Sequence, residues 1–145
     1  MIISVTDSNK NEWAKLCNAL WPHHTSEHFL NERASNSYQN EFLYMVNGKA
    51  AAFVSLSVRS DYVEGTKSSP VGYLEGIYVK PNYRKQGIAR KMAEFAAKWS
   101  AERGCAELAS DCLLENEESR KFHNSIGFKE ANTIVCFTMD ISKPL

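Results

Sequence analysis

The sequence predicts a mixed α/β fold in which one sheet is flanked by helices. Segments rich in β-branched and aromatic residues alternate with segments whose apolar residues recur at helical spacing. The resulting order, β-α-α-β-β-β-α-β-α-β, places a crossover helix near the centre of the chain. Asn47-Gly48, between two strand-like segments, predicts a hairpin turn.

Each predicted strand is a short run with strand-type composition. The strands are expected at Met1–Val5, Glu41–Val46, Ala50–Val58, Tyr73–Val79, Cys105–Ser110 and Thr133–Ile141. The polar segment Asp61–Gly72 contains glycine and proline and is predicted to be a loop.

Four helices are predicted from apolar spacing and from the residues that stop them. The first carries Trp13, Leu16, Cys17, Leu20 and Trp21 and ends at Pro22; the others are Ser26–Arg33, Ile88–Trp99 before Gly104, and Asn116–Ser125 before Gly127. The chain of 145 residues is expected to form a single domain, residues 1–145.

The charge balance excludes several classes of function. Lys plus Arg and Asp plus Glu both number 17, so no net charge favours nucleic acid or an anionic membrane, and neither partner is expected. No signal peptide or membrane-length apolar run is visible. Four cysteines without a CxxC pair predict reduced thiols, no metal site and a cytoplasmic protein.

The most informative segment joins the strand ending at Val79 to the helix starting at Ile88. Its turn is basic and carries one glycine, Gly87. Amides at a helix N-terminus have no intrahelical partners and lie at the positive end of the helix dipole. A diphosphate therefore fits this turn, with Arg84, Lys85 and Arg90 adding positive charge.

An ordinary basic turn before an amphipathic helix explains the same residues about equally well. Neither GxxxxGK[ST] nor GxGxxG is present, which excludes a P-loop and a Rossmann fingerprint. The neighbouring segments decide between the two interpretations.

Arg84-x-x-Gly87-x-Ala89, after a strand ending Ile77-Tyr78-Val79-Lys80-Pro81, resembles the acetyl-CoA-binding motif of the GCN5-related N-acetyltransferases. A second family signature follows in order. It comprises Asn116, Ser119, Phe122 and Gly127-Phe128.

The resemblance implies a GNAT fold: a central mixed, mostly antiparallel sheet in which two parallel strands splay into a V that holds acetyl-CoA. It implies that the Ile77–Val79 backbone pairs with the pantetheine and that the turn amides bind the diphosphate. The cofactor-binding residues expected from it are Ile77, Tyr78, Val79, Arg84, Lys85, Gln86, Gly87, Ile88, Ala89, Asn116 and Phe122.

Acetyl transfer to an amine needs a proton acceptor, because amines in water are largely protonated. Glu75 lies within an apolar strand, and Asp111 follows the next strand, so both are candidate catalytic bases on facing arms of the V. Alternatively, Glu75 lies on the solvent side of its strand and Asp111 caps a turn.

His123 occupies a position where the family often has a tyrosine. A histidine can protonate the leaving thiolate near neutral pH, which makes it the candidate general acid. A solvated residue on the helix surface is the alternative interpretation.

A more specific resemblance, over most of the chain, is to the small dimeric aminoglycoside 6′-N-acetyltransferases. The matching segments are Leu20-Trp21, Arg59-x-Asp61-Tyr62-Val63-x-Gly65-Thr66, Ser69 to Val79, and Ala109-Ser110-Asp111. It implies a homodimer and an aminoglycoside substrate, which carries several ammonium groups and suits acidic and aromatic side chains.

The substrate-binding residues expected on this basis are Trp21, Asp61, Tyr62, Glu75 and Asp111. Core packing explains Trp21 equally well, since it continues the apolar face of the first helix. Two other functions stay open: acetylation of a polyamine or protein amine, and a non-catalytic acyl-CoA sensor.

Overall fold

The computed structural model describes residues 1–33 and 38–144. Within these ranges the strands are β1 (Ile2–Ser4), β2 (Glu41–Val46), β3 (Lys49–Arg59), β4 (Val71–Val79) and β5 (Leu108–Ala109). The helices are α1 (Lys10–Leu20), α2 (Ser26–Arg33), α3 (Ile88–Glu102) and α4 (Glu117–Ser125), and a short 3₁₀ turn spans Pro81–Tyr83.

The strands form one sheet in the order β1-β2-β3-β4-β5. β1 to β4 pair antiparallel, and β4 pairs with β5 in parallel across α3. The predicted hairpin is confirmed: Asn47 and Gly48 join β2 to β3 with φ of 50° and 77°. Both angles lie in the left-handed region that short hairpin turns require.

Helices cover both faces of the sheet. On one face, Met92, Ala96 and Trp99 of α3 pack against Leu74 and Val54. On the other face, α1 and α2 form a second core with β2 and β3, around Trp13, Leu16, Cys17, Phe29 and Phe53. The helical spacing seen in the sequence thus corresponds to the buried face of each long helix.

β4 and β5 separate soon after they meet. They pair at Gly72 with Leu108 and at Tyr73 with Ala109, and the register of the described residues extends no further. Ser110 Oγ bridges the opening by donating to the carbonyl of Leu74 at 3.2 Å. The predicted splay between two parallel strands is therefore confirmed, and it begins at Leu74.

A β-bulge lies at the opening of the splay. Ser55 pairs with Gly76 and Leu56 pairs with Leu74, so Glu75 is an extra residue on β4. A bulge bends its strand and re-aims the side chain of the extra residue. Alternation along β4 puts Glu75 on the same side of the sheet as Tyr73, and the bulge puts Gly76, which lies against Trp21, on that side as well.

The strand predicted at Thr133–Ile141 is wrong for the single chain, where the segment carries no helix or strand. Its large side chains are exposed, from 58% for Ile134 to 89% for Phe137. Alternating apolar residues favour a strand, but a strand also needs a sheet edge to pair with, and no edge in the described residues pairs with this segment. The strand predicted at Cys105–Ser110 is likewise reduced to β5.

Candidate active site

The turn between β4 and α3 presents main-chain amides to solvent. Lys85 and Gly87 adopt left-handed conformations with φ of 62° and 80°, and Gly87 is the N-cap of α3. Among the described residues, no acceptor is found for the amides of Lys85 or Gly87. A Cβ built on Gly87 meets nothing within 4 Å, so the space above these amides is open.

The edge of β4 beyond the splay is also available for hydrogen bonding. The amide of Lys80 donates to Ala51 O on β3 at 2.9 Å. Main-chain groups alternate in direction along a strand, so those of Val79 and Ile77 face the side that β5 has left. The side chains of Ile77 and Val79 are buried in the core beneath α3. These residues thus offer backbone rather than side chains to a ligand.

Several predicted cofactor residues have structural partners of their own. Arg84 Nε donates to Val79 O at 2.8 Å, and Gln86 Nε2 lies 3.5 Å from Asn82 O. Asn116 caps α4 by accepting from the amide of Ser119 at 3.1 Å. Phe122 and Ala89 pack against the α3 core, and Ile88 is buried within it. Their contact with a cofactor stays a prediction.

A cleft of about 540 Å³ lies on the opposite face, between α1, α2 and β3–β4. Trp21 and Glu75 both line it, as predicted for substrate-binding residues. The indole of Trp21 lies against the α-carbon of Gly76, where an added Cβ would meet it at 2.5 Å. Trp21 also packs against the core, since its ring centre lies 5.8 Å from that of Phe53. Its contact with a substrate stays a prediction.

Glu75 is held by an arginine from the neighbouring strand. Arg59 Nη2 donates to both carboxylate oxygens at 2.9 Å, and its Nε donates to Oε2 at 3.2 Å. Ser57 Oγ donates to the same Oε2 at 2.5 Å. Burial lowers the pKa of Arg59, but the hydrogen bonds and charge of Glu75 outweigh that effect and raise it. Glu75 is thus an ion-paired side chain at the cleft.

Tyr73 connects the two candidate carboxylates. Its hydroxyl donates to Asp111 Oδ2, and the guanidinium of Arg59 lies 3.4 Å from the centre of its ring. Burial, and then the hydrogen bond to Asp111, raise the pKa of Tyr73, so its phenol stays neutral and remains a donor. Contacts therefore run from Asp111 through Tyr73 and Arg59 to Glu75. Glu75 lines the cleft formed by the described residues and Asp111 does not, so their joint role in catalysis stays a prediction.

His123 is a half-buried residue rather than a solvated one. Its Nδ1 lies 2.7 Å from the carbonyl of Ser119, and its Nε2 lies 2.9 Å from Ser110 Oγ. Ser119 Oγ also lies 3.3 Å from Nδ1, so both ring nitrogens have hydrogen-bond partners. The imidazole thus reaches from α4 to the end of β5, one residue before Asp111.

Asp61 and Tyr62 lie outside the lining of the cleft as it is formed by the described residues. Tyr62 is 74% exposed. Their loop is tied to the segment before β5, where the amide of Lys67 donates to Glu107 Oε1 at 2.8 Å. A role for Asp61 and Tyr62 in substrate binding stays a prediction.

The cleft also contains residues that sequence reasoning missed. His23 and His24 line it, with ring centres 4.3 Å apart, and burial followed by the charges of His28 and His23 lowers the pKa of His24. Glu41 is 2% exposed and accepts from Ser55 Oγ at 2.6 Å. A histidine cluster at 23, 24 and 28 is visible in the sequence, whereas the burial of Glu41 has no local signal.

The described residues contain neither a metal-binding cluster nor a membrane-spanning helix. No group of three or more His, Cys, Asp or Glu side chains there is arranged to hold a metal ion. Across residues 1–33 and 38–144, no helix has the length and apolar character needed to cross a membrane.

A sheet whose parallel strands splay beside an amide-rich turn defines an acetyltransferase architecture. The model of the Acetyltransferase (GNAT) family matches residues 6–128. The chain belongs to this family.

More specific similarities extend over nearly the whole chain. An aminoglycoside N(6′)-acetyltransferase type 1 of Acinetobacter genomosp. 13 is 38% identical, over 97% of this chain and 98% of that protein. The crystal structure of an aminoglycoside antibiotic 6′-N-acetyltransferase from Acinetobacter haemolyticus matches with a TM-score of 0.91 and 34% identity, covering 98% and 99% of the two chains.

A third similar protein, AAC(6′)-Iy, has been solved with the bisubstrate analogue CoA-S-monomethyl-acetylneamine. It matches with a TM-score of 0.88 and 33% identity, covering 97% of both chains.

Proposed function

We propose that this chain is an acetyl-CoA-dependent aminoglycoside 6′-N-acetyltransferase that confers resistance and acts in the cytoplasm as one domain, residues 1–145. The observation that carries the proposal is the network of Glu75, Tyr73 and Asp111 at the opening of the splay, beside an acidic and aromatic cleft. The near full-length relatives with that activity support it. Four cysteines without a disulfide bond, two of them exposed, suit a reducing compartment.

The donor side fits coenzyme A. The amides of Lys85 and Gly87, which have no acceptor among the described residues, provide hydrogen-bond donors for a diphosphate. The edge of β4 that β5 has left at Ile77–Val79 suits an extended amide-containing chain, although Val79 O already accepts from Arg84. Bound acetyl-CoA supplies the acetyl group as a thioester. The residues proposed to hold it are those of the turn and of the β4 edge.

The acceptor side fits a polycationic amine. Carboxylates bind ammonium groups, and Trp21 offers an aromatic face to a sugar or a cation. Either Glu75 or Asp111 accepts the proton that the amine loses, directly or through water. His123 contacts Ser110, the residue before Asp111 in the sequence. It is the proposed general acid for the thiolate.

Release of CoA with a panel of amines tests the function. Kanamycin and tobramycin, which carry a 6′-amine, are expected to be acetylated, whereas an aminoglycoside with a 6′-hydroxyl is not. Turnover of spermidine or peptide amines without turnover of aminoglycosides would show that the acceptor is a polyamine or a protein. CoA binding without turnover of any amine would indicate an acyl-CoA sensor.

His123→Ala tests the general acid. If His123 protonates the leaving thiolate, the variant loses activity mainly in kcat, by about tenfold to a hundredfold or more. A rate close to that of the wild type removes His123 from the mechanism, and a melting curve controls for the loss of its hydrogen bonds to Ser110 and Ser119.

The functional unit is proposed to be a homodimer. Residues 133–141 expose alternating apolar side chains, including Val135, Phe137 and Met139, whereas monomers seldom expose large contiguous apolar patches. The preceding Asn132 is fixed, since its Nδ2 donates to Glu64 Oε1 at 2.6 Å. A second copy presents the same segment and the same short β5 edge, so the two can exchange strands reciprocally.

Phe137→Asp tests the dimer, because a charge on an apolar strand face opposes burial. Sedimentation is expected to show a dimer for the wild type and a monomer for this variant. Ile141 lies near the end of the segment, and Lys143→Asp, two residues beyond it, is the matched control that should remain dimeric. A monomeric wild type would contradict the proposal.

A further inference from the structure

The two carboxylates of the acceptor site differ in what already binds them. Both oxygens of Glu75 accept hydrogen bonds from the guanidinium of Arg59, and Oε2 also accepts from Ser57. An ionised carboxylate has about four acceptor positions, so these donors use most of its capacity. An incoming ammonium group would therefore have to displace a bidentate arginine from Glu75.

Asp111 has a neutral partner instead. Tyr73 donates its hydroxyl to Asp111 Oδ2, and this phenol carries no charge that would offset the carboxylate. Among the described residues, no lysine or arginine forms an ion pair with Asp111. The charge of Asp111 also raises the pKa of Arg59, but the guanidinium hydrogen-bonds to Glu75 and not to Asp111. Among the described residues, Asp111 therefore keeps its second carboxylate oxygen without a hydrogen-bond donor at the end of β5.

Arg59 links the two groups. Its guanidinium carbon lies 3.4 Å from the centre of the Tyr73 ring while the same group holds Glu75, so the arginine has contacts in two directions. It is the last residue of β3, and the bulge at Glu75 brings the two side chains together. Lysine could not reproduce this arrangement, because it lacks the planar fork.

We propose that Arg59 is a positioning residue which neutralises Glu75 and so leaves Asp111 as the carboxylate that receives the acceptor amine and its proton. The inference rests on the proposed function and decides between its two candidate bases. Glu75 then acts as the counterion that keeps Arg59 away from the incoming ammonium group.

A double-mutant experiment separates a counterion from a base. Glu75→Gln leaves Arg59 as an unpaired cation in the cleft, so the KM for tobramycin is expected to rise about tenfold or more through like-charge repulsion. Removing both charges in R59Q/E75Q should restore the KM to within about threefold of the wild-type value, since the pair is neutral as a whole. If Glu75 itself receives the amine, the double variant will be no better than E75Q.

The second test uses the Asp111→Asn variant. It is expected to lower kcat/KM by about a hundredfold or more, and adding R59Q should not repair it. A D111N variant with nearly wild-type kcat/KM would overturn the proposal. The matched control is E130Q, which breaks the exposed ion pair between Arg120 of α4 and Glu130. This variant should leave the KM for tobramycin unchanged.

Two further readouts keep the outcomes distinct. The KM for acetyl-CoA and the melting temperature report misfolding, and both should stay at wild-type values in R59Q/E75Q. Calorimetric binding of tobramycin gives the same comparison without turnover. A wild-type chain that binds tobramycin but does not acetylate it would refute the proposed function, and the binding series would still decide the role of Arg59.

Discussion

At the scale of single residues, the hydroxyl group of Tyr73 contributes one hydrogen bond to the site. Tyr73 lies on β4 opposite Ser57, receives the guanidinium of Arg59 on its ring and donates to Asp111. A hydrogen bond to a charged acceptor is stronger than one between neutral groups. Tyr73 therefore orients Asp111 while adding no charge to the site.

Tyr73→Phe removes this hydrogen bond and keeps the ring. Losing a hydrogen bond to a charged group costs about 1.5–3 kcal/mol, so kcat/KM should fall roughly tenfold to a hundredfold. Burial, then Asp111, raise the pKa of Tyr73, so the phenol is protonated throughout roughly pH 6 to 9. The ratio of wild-type to variant kcat/KM should consequently be constant over that range. A ratio that changes with pH would show that Tyr73 itself titrates.

Gly87→Ala tests the turn and has a matched control. Gly87 and Gly48 have φ of 80° and 77°, and an added Cβ meets nothing within 4 Å at either position. Alanine should therefore cost about 1–2 kcal/mol of stability at both. Calorimetry is expected to show weaker CoA binding for G87A alone. Equal CoA affinities in the two variants would argue against amides of this turn as the diphosphate site.

Single residues were predictable where their signal is local. Glu75 and Asp111 stand out as acids beside apolar strands, and the structure joins them through Tyr73. Arg59 carries no such signal, because its pairing with Glu75 depends on the register of β3 and β4. The half-buried position of His123 depends on α4 packing against β5, which the sequence pattern does not specify.

At the scale of elements, the β-bulge sets the acceptor face. Glu75 shares the side of Tyr73 through strand alternation, and the extra residue brings Gly76 to that same side, beneath the end of α1. Only a residue without a side chain fits there, since Trp21 and Leu20 approach its α-carbon closely. The bulge and the C-terminal end of α1 are thus coupled.

Gly76→Ala should disturb this coupling. Its Cβ would lie 2.5 Å from the Trp21 ring, which is confined by Phe29 and Phe53. Overpacking of this kind costs about 1–3 kcal/mol, and displacement of the indole should raise the KM for aminoglycosides. Thermal unfolding and steady-state kinetics check both effects. In a Trp21→Ala background the Gly76→Ala substitution should cost much less stability, and an unchanged cost would place the strain elsewhere.

Elements that are bounded by turn-forming residues were predicted well. The hairpin at Asn47-Gly48 and the turn ending at Gly87 both follow from residues that tolerate positive φ. The bulge was not predictable, because one extra residue leaves the strand pattern almost unchanged. The C-terminal strand was predicted from its alternation, but alternation reports a preference and cannot supply a pairing edge.

At the scale of the whole molecule, the proposed dimer through segment 133–141 would make stability depend on association. Subunits that exchange strands bury each other's apolar surface, so assembly and folding are linked. The melting temperature should rise as protein concentration increases from about 1 to 100 µM. In F137D it should be independent of concentration. A wild-type melting temperature without that dependence would contradict an obligate dimer.

The amide-lined turn and the side-chain-lined cleft differ in how mutations affect them. Main-chain N–H groups persist under almost every substitution in the turn, with Gly87 the position most constrained by its φ of 80°. Recognition in the proposed acceptor site depends on particular side chains such as Trp21 and Glu75, and a single codon change can replace either of them. Selection by a new drug can therefore reshape recognition of the antibiotic while supply of the acetyl donor stays intact.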